Sequence, residues 1–477
     1  MINSKSNQNL KILLLHPPTT SGDRWDKSFK DIGSIQLPLG LAYIAAVLKE
    51  AGKDVTVLDA AVLEMDLKRF REEIKRIGPD IVGITAMTPM IKFAGKAAEI
   101  IKEVRKEVIV VLGGPHISVL PEETLRTYPI DYGVVGEGEY TFLELVNCLE
   151  KNEDVKEIKN IVFLKDNQFI FTGSGKVIDD LDALPFPARE LFPNLKFYKS
   201  AIGNYKRLPV GTMMSSRGCP FNCTYCDKSI FGRGIRLRSA KNVVDEMEQL
   251  HTKFGVNEII FFDDIFTMNK KRVYDICEEI RKRKLDISWN CEAHVRTIEL
   301  DLLRKMKKAG CWQISYGVES GNQKILDNIK KGIKLQEIED AVRLTKKAGI
   351  LARGYFILGL PGETKESIQD TINFAKKLKL NNALFSMLVP FPGTELYNDI
   401  KNFGKITQVD WSNFRMTTTE PIFVPDALTK EELKRFSKKA YKSFYMSPGF
   451  IFRYIKNIRS FNDIKAAVDG FLTVKKI

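Results

Sequence analysis

The 477-residue chain is 44% hydrophobic and carries 74 Lys and Arg against 60 Asp and Glu, a formal net charge of +14. That much apolar content buries several cores, so two or three domains of ordinary size are expected; a disulfide-stapled miniprotein or a disordered chain is excluded. The positive balance suits an anionic partner, yet many of the basic residues fall on helical stretches such as 101–106 and 281–284, where interspersed charge serves solvation.

No charged and apolar leader pattern precedes the first strand-like run, and no apolar stretch approaches the roughly 20 residues that cross a bilayer, so a cytoplasmic protein is expected. Short apolar runs at 11–16, 54–60, 80–88, 108–113 and 132–136 predict strands, and spacings of three and four predict helices over 39–50, 66–77, 92–106 and 141–151. That alternation is the mark of an α/β fold, here a doubly wound, Rossmann-like domain over 8–150. Two β-rich runs around Asp166 and Asn167 predict a hairpin, and with the proline-rich 184–188 they make 151–207 a hairpin and linker. A second alternation then predicts strands at 210–215, 258–262, 287–293, 313–318, 354–358 and 383–388. Its helices fall at 241–254, 271–283, 299–309, 335–348 and 365–378. Six such units make a partial (β/α)6, TIM-like barrel over 208–400, with ligands expected at the C-terminal strand ends. Residues 401–477 read as a helical C-terminal region, with helices over 430–441 and 451–459 and aromatics running through them.

Seven cysteines are an odd number, and three of them crowd into the run Arg217-Gly-Cys-Pro-Phe-Asn-Cys-Thr-Tyr-Cys226. That argues for a reducing compartment and a metal site rather than a disulfide framework. Cys219, Cys223 and Cys226 are spaced C-x3-C-x2-C. Three thiolates on one short loop bind three irons of a [4Fe–4S] cubane and leave the fourth iron open to a ligand offering an amine and a carboxylate. Gly218 and Pro220 suit a loop that wraps a metal, and Tyr225 offers an aromatic face. The alternative is a structural zinc site, which needs four ligands; Cys148, Cys277, Cys291 and Cys311 supply no second knuckle.

This spacing resembles that of the radical S-adenosylmethionine superfamily, over about residues 208–400. The segment Phe262-Asp-Asp-Ile-Phe266 resembles the one that lies near the methionine part of the cofactor, which implicates Asp263 and Asp264. Gly317-Val-Glu-Ser-Gly321 resembles the fourth-strand segment facing the ribose and methionyl amine, which implicates Glu319 and Ser320. Phe356-Ile-Leu-Gly-Leu-Pro-Gly-Glu363 resembles the turn beside the adenine, with Gly359 and Gly362. Each motif alone also reads as a helix cap or a plain turn. Arg296 and Arg353 suit the cofactor carboxylate or, equally, a salt bridge at the barrel rim.

In the first domain the informative loops lie at the carboxyl ends of the strands, and no G-x-G-x-x-G opens the first helix, so a dinucleotide is not expected. Leu37-Pro-Leu-Gly-Leu-Ala-Tyr-Ile-Ala-Ala46, Gly113-Gly-Pro-His116, Pro121-Glu-Glu123 and Val135-Gly-Glu-Gly-Glu139 resemble the cobalamin-binding domain found fused to radical S-adenosylmethionine domains, over about 10–145. The resemblance implies cobalamin contacts at Thr85, Gly113, Gly114, Pro115, His116, Gly136 and Glu137. It departs from other cobalamin proteins in lacking D-x-H-x-x-G, so His16 and His116 are expected to be loop histidines bound to backbone rather than to cobalt.

Together these resemblances imply an enzyme using a [4Fe–4S] cluster, S-adenosylmethionine and cobalamin to move a methyl group to an unactivated carbon. A small-molecule substrate, hydrophobic by the family's leaning, and an external one-electron donor such as flavodoxin or ferredoxin are implied; DNA is not. The alternatives are a cofactor-sharing oxidative cyclase or ring contraction, RNA methylthiolation and a cobalamin sensor. Methylthiolation needs three further cluster cysteines where this N-terminal domain has only Cys148, and a sensor has no use for the S-adenosylmethionine loops. The basic, aromatic 430–477 suits either a cap on the open side of the barrel or contact with anionic lipid.

Overall fold

The computed structural model describes residues 10–25, 33–201, 203–416 and 418–457. It divides into two compact units. Among the described residues, one holds 10–24, Ile35–Tyr198 and the short segment Lys228–Gly232, and the other holds the described parts of 199–227 and of 233–457, with Trp25 and 33–34.

In the first unit the apolar runs form β1 (Ile12–His16), β2 (Val55–Asp59), β3 (Ile81–Thr85), β4 (Ile109–Gly113) and β5 (Tyr132–Val134). They pair in parallel in the order β2-β1-β3-β4-β5. Both faces are buried, one at Leu13, Leu15, Val82, Ile84, Val110 and Leu112 and the other at Ile12, Leu14, Ile81 and Val111, as expected of parallel strands covered by helices. Helices Leu39–Glu50, Leu67–Ile77, Ile91–Val104 and Glu139–Lys151 connect them. Asp66 caps the second by accepting a hydrogen bond from the Arg69 amide at 2.8 Å. The third predicted strand ends at Thr85 rather than Thr88, because Pro89 turns Thr88–Met90 into a helical turn.

The hairpin β6 (Ile161–Lys165) and β7 (Gln168–Phe171) forms around Asp166 and Asn167, whose φ of 49° and 61° are those of a type I′ turn. It does not stand in a linker. β6 pairs antiparallel with β5 and extends the first sheet to seven strands.

In the second unit β8 (Val210–Met213) leads through a small ribbon, β9 (Ser216–Arg217) and β10 (Arg236–Leu237), into β11 (Glu258–Phe261), β12 (Ser288–Ala293), β13 (Cys311–Glu319), β14 (Leu351–Leu358) and β15 (Asn382–Met387). The six long strands are all parallel and in sequence order, with β8 and β15 at the ends. This is a partial barrel. Helices Ala240–Phe254, Lys270–Lys282, Leu300–Lys308, Leu335–Lys347 and Lys365–Lys377 alternate with the strands. Side-chain caps start three of them: Ser239 on the Asn242 amide, Asn269 on that of Arg272 and Thr364 on that of Ser367. Phe261, Phe266 and Trp289 pack with ring centroids 4.6 to 5.6 Å apart, an arrangement worth about 0.5–1.5 kcal/mol per pair beyond burial.

Past a short antiparallel pair, β16 (Gly404–Ile406) and β17 (Phe423–Pro425), helix Lys430–Tyr445 packs against the free edge of β15. There the Tyr445 hydroxyl accepts from the Ala383 amide at 3.1 Å and donates to its carbonyl at 2.7 Å, and the Tyr441 hydroxyl accepts from the Phe385 amide at 3.3 Å. This part of the C-terminal region is therefore a cap on the barrel. Helix Pro448–Asn457 leaves Ile451, Phe452 and Ile455 exposed, and the remainder of the expected 451–459 helix and of 430–477 lies outside the described residues. No helix among the described residues is long and apolar enough to cross a membrane.

Candidate active site

The cysteine loop leaves β9 through Gly218 and is tied to the body of the barrel at its middle. The Thr224 amide donates to the Ile329 carbonyl at 3.1 Å and the Thr224 carbonyl accepts from the Leu396 amide at 2.9 Å. A turn from the Cys226 amide to the Cys223 carbonyl, 3.2 Å, folds two of the cysteines together. Cys219 and Cys223 are half-buried and Cys226 is exposed, and none of the three is in a disulfide. Among the described residues no three Cys, His, Asp or Glu side chains converge on one ion; a cubane instead takes each thiolate on a different iron. The donor set thus fits the cluster.

Tyr225 turns inward. Its hydroxyl donates to Glu319 Oε1 at 2.9 Å, and Lys331 Nζ lies 2.8 Å from the same oxygen and 3.1 Å from the hydroxyl. Burial, reinforced by Glu319, pushes the Tyr225 hydroxyl well above its ordinary range. Burial opposes the charge on Lys331, but Glu319 together with Cys223 and Cys226 outweighs it and holds the ammonium above its usual value. Glu319 ends β13 at a φ of 62°, after a break in register at Gly317. A Cβ on Gly317 would stand 2.4 Å from Glu319 Oε1 and 2.8 Å from Lys331 Nζ, so a side chain there would push this ion pair aside. Lys331 was not marked by the sequence. No motif surrounds it, and only the fold brings it to Glu319.

Other expected residues are spent on structure. Asp263 is buried and accepts from the Ser215 amide at 2.6 Å and the Ser216 hydroxyl at 2.7 Å. It bolts down the strand that leads into the cysteine loop. Ser320 is buried 3.0 Å from the Thr371 hydroxyl. Arg296 forms a forked pair with Glu337 at 2.8 and 3.1 Å, the rim salt bridge. Asp264, by contrast, is exposed.

Arg353 lies near the start of β14, five residues before Leu358, or about 16 Å below the strand end at 3.3 Å per residue. Its Nη1 donates to Asn204 Oδ1 at 3.0 Å, while Asn290 Nδ2 reaches the Asn204 carbonyl at 3.0 Å. Residues from β12 and β14, on either side of β13, therefore meet the segment that closes the N-terminal end of the barrel. Level with Arg353 on the same face stand Glu292 and Ser315, and one step higher stands Tyr355, bonded to both. Glu292 is open to solvent by area yet walled on most sides, as in a cleft. Burial raises its carboxyl, against the Tyr355 hydrogen bond and the Arg353 charge.

The Gly359–Gly362 turn is held from beneath by Glu363, whose Oε2 accepts from the amides of Gly359 at 2.6 Å and Leu360 at 3.1 Å. The other oxygen is buried without a partner, and burial pushes this carboxyl up to about 8 despite the two amides. The folded state therefore keeps a proton that the unfolded chain has released, so stability is full at low pH and is lost as pH rises through 8. Between pH 5 and 8 the loss approaches about 1.4 kcal/mol per pH unit. Melting temperature is expected to fall across that range, and Glu363→Gln, neutral throughout, is expected to flatten the profile; an equal slope in the variant would assign it elsewhere.

In the first unit the expected cobalamin residues gather at the C-terminal ends of β3, β4 and β5. A Cβ on Gly113 would meet nothing within 4 Å, whereas Gly114 has a φ of 99° and a Cβ there would stand 2.9 Å from the Ala86 carbonyl. One glycine faces open space and the other is pressed on backbone. The Ser118 hydroxyl accepts from the Gly136 amide at 3.0 Å and donates to the Gly114 carbonyl at 2.9 Å, joining the two glycine loops. The sequence reading took in Ser118 only as part of the loop. Pro115 begins the short helix Pro115–Val119, Thr85 is half-buried beside Gly114, and Glu137 accepts from the Ile178 amide at 2.9 Å. This open, glycine-lined cradle fits a large flat ligand.

His116 lies in the short helix Pro115–Val119 rather than in a loop, 1% exposed and 3.4 Å from the Thr88 hydroxyl, and burial lowers its pKa to about 4, so the ring is neutral. His16 differs from the expectation of backbone bonding. Its Nδ1 is 2.8 Å from the fully buried Asp59, which also accepts from the Tyr198 hydroxyl at 2.8 Å. Asp59 faces His16 across the parallel register of β1 and β2, a signal available once strand ends are aligned.

A model of the radical SAM superfamily matches residues 213–375 and one of the B12 binding domain matches 29–146. The chain is 38% identical to an uncharacterized methyltransferase of Pyrococcus horikoshii over 467 residues, 98% of each chain. It is 32% identical over 458 residues to the anaerobic magnesium-protoporphyrin IX monomethyl ester cyclase of Cereibacter sphaeroides, covering 93% of this chain and 72% of that one. The solved structure of the radical S-adenosylmethionine methyltransferase TsrM from Kitasatospora setae, with cobalamin and a [4Fe–4S] cluster bound, superposes with a TM-score of 0.70 at 18% identity, over 92% of this chain and 89% of that one. The chain belongs to the cobalamin-binding branch of the radical S-adenosylmethionine superfamily, enzymes whose cofactors are a [4Fe–4S] cluster, S-adenosylmethionine and cobalamin.

Proposed function

We propose that the protein is a cobalamin-dependent radical methyltransferase acting on an unactivated carbon of a small-molecule substrate, with an external one-electron donor. The observation that carries the reading is the presence in one chain of the open glycine cradle at Gly113 and the cysteine loop with its Tyr225–Glu319–Lys331 set. Full-length similarity to a methyltransferase supports it, against 72% coverage of the cyclase. When bound, the cofactors supply the radical and the methyl group; the protein positions them and keeps water out.

In this reading Cys219, Cys223 and Cys226 hold the cluster, Tyr225 and the Gly359–Gly362 turn bracket the adenosine, and the Glu319–Lys331 pair and Asp264 border the methionyl end. The inner face with Glu292, Ser315, Arg353 and Tyr355 favours a substrate that brings hydrogen-bonding groups, which qualifies the leaning toward a hydrophobic one. The cyclase reading keeps the same cofactors and has the 32% identical cyclase in its favour. The two separate by products. Anaerobically reconstituted protein given S-adenosylmethionine, a reductant and reduced cobalamin is expected to form S-adenosylhomocysteine as well as 5′-deoxyadenosine; formation of 5′-deoxyadenosine alone would favour the cyclase.

A further inference from the structure

His294 follows β12 and is 8% exposed. Its ring stacks on Phe221, centroids 3.9 Å apart and planes 12° from parallel, and Phe221 sits midway between Cys219 and Cys223. On one side His294 Nδ1 accepts from the Arg296 amide at 3.3 Å. Burial, with the charges of Lys331 and Arg296, lowers its pKa to about 4, so the ring is neutral near pH 7 and the proton resides on Nε2. That nitrogen is buried with no hydrogen-bond partner. A phenylalanine would stack on Phe221 equally well and bring no unmet donor, and buried donors are otherwise satisfied in folded proteins.

We propose that His294 Nε2–H donates a hydrogen bond to the loaded cofactor assembly beside the cysteine loop. The acceptor is either a sulfur of the cluster or an oxygen of the S-adenosylmethionine bound to it. The inference rests on the cluster reading of Cys219, Cys223 and Cys226 and adds a residue that no motif marks. His294 is then a donor aimed at the reacting cofactors, and its stack on Phe221 fixes the angle of that donor.

The test uses full-length, anaerobically reconstituted protein with two substitutions. His294→Phe keeps a ring on Phe221 and removes the donor; His294→Gln restores an N–H at similar reach. Iron and sulfide content is measured first, then the cluster's midpoint potential without S-adenosylmethionine, then the dissociation constant for S-adenosylmethionine. If the acceptor is an oxygen of S-adenosylmethionine, His294→Phe binds it about three- to tenfold more weakly at unchanged potential. If it is a cluster sulfur, the potential of His294→Phe becomes more negative before any S-adenosylmethionine is added. In either case His294→Gln recovers most of the change, which a packing role alone would not produce. A fully loaded His294→Phe with wild-type potential and affinity overturns the proposal, as does a His294→Gln that behaves like His294→Phe. Failure of the wild-type protein to assemble a cluster would instead bring down the cluster reading, and the proposal with it.

Discussion

Changing Cys219, Cys223 and Cys226 together to Ala is expected to abolish the broad visible absorbance of the iron–sulfur cluster and all formation of 5′-deoxyadenosine, a complete loss rather than a graded one. The thiols lie on an exposed to half-buried loop, so their removal opens no core cavity and the melting temperature of the apoprotein should stay close to wild type. The buried Cys277, Cys291 and Cys311 belong to the packed barrel; burial raises the thiols of Cys277, to about 12, and of Cys291, which suits inert packing rather than ligation. Single Ala substitutions there are expected to lower stability while leaving iron content per folded molecule unchanged. A triple variant that still cleaves S-adenosylmethionine would remove the central claim.

The second large effect is expected at Gly113. Because a side chain there would project into open space at the end of β4, Gly113→Leu should fold normally, retain the iron–sulfur spectrum and lose the corrin absorbance of bound cobalamin, with affinity down a hundredfold or more, about 2.7 kcal/mol or above. Gly114→Leu is the contrasting case. Its backbone is left-handed and its Cβ is pressed on the Ala86 carbonyl, so it should lower the melting temperature as well. Wild-type cobalamin binding by Gly113→Leu would place the corrin elsewhere.

What could be read in advance follows from the range of the interaction. Helix spans such as Leu39–Glu50, predicted and observed at the same residues, depend on local periodicity. The C-x3-C-x2-C run likewise carries its chemistry within eight residues. Motif residues were harder to place, because a motif gives a residue type and not the direction of its side chain. Asp263 turned out to serve Ser215 and Ser216, and Arg353 the floor of the barrel. The partners missed outright, Lys331 for Glu319 and Tyr198 for Asp59, lie 12 and 139 residues from their mates. Only tertiary folding makes them neighbours. The hairpin was recognised from its turn, but its membership of the first sheet depends on an edge that β5 exposes only after the sheet has formed.

The tyrosines of helix Lys430–Tyr445 that bond the last strand of the barrel bear on colloidal behaviour as much as on shape. An open sheet edge is a template for a second copy of the chain, and β15 would be such an edge. The hydroxyls of Tyr441 and Tyr445 occupy the Phe385 amide and both polar groups of Ala383, so a partner strand finds those positions taken. Because phenol rings supply these bonds, a Tyr-to-Phe change at both sites would keep the apolar packing against Phe385 but leave three backbone groups under the helix without partners, loosening the cover so that the edge is uncovered more often and self-association at high protein concentration rises.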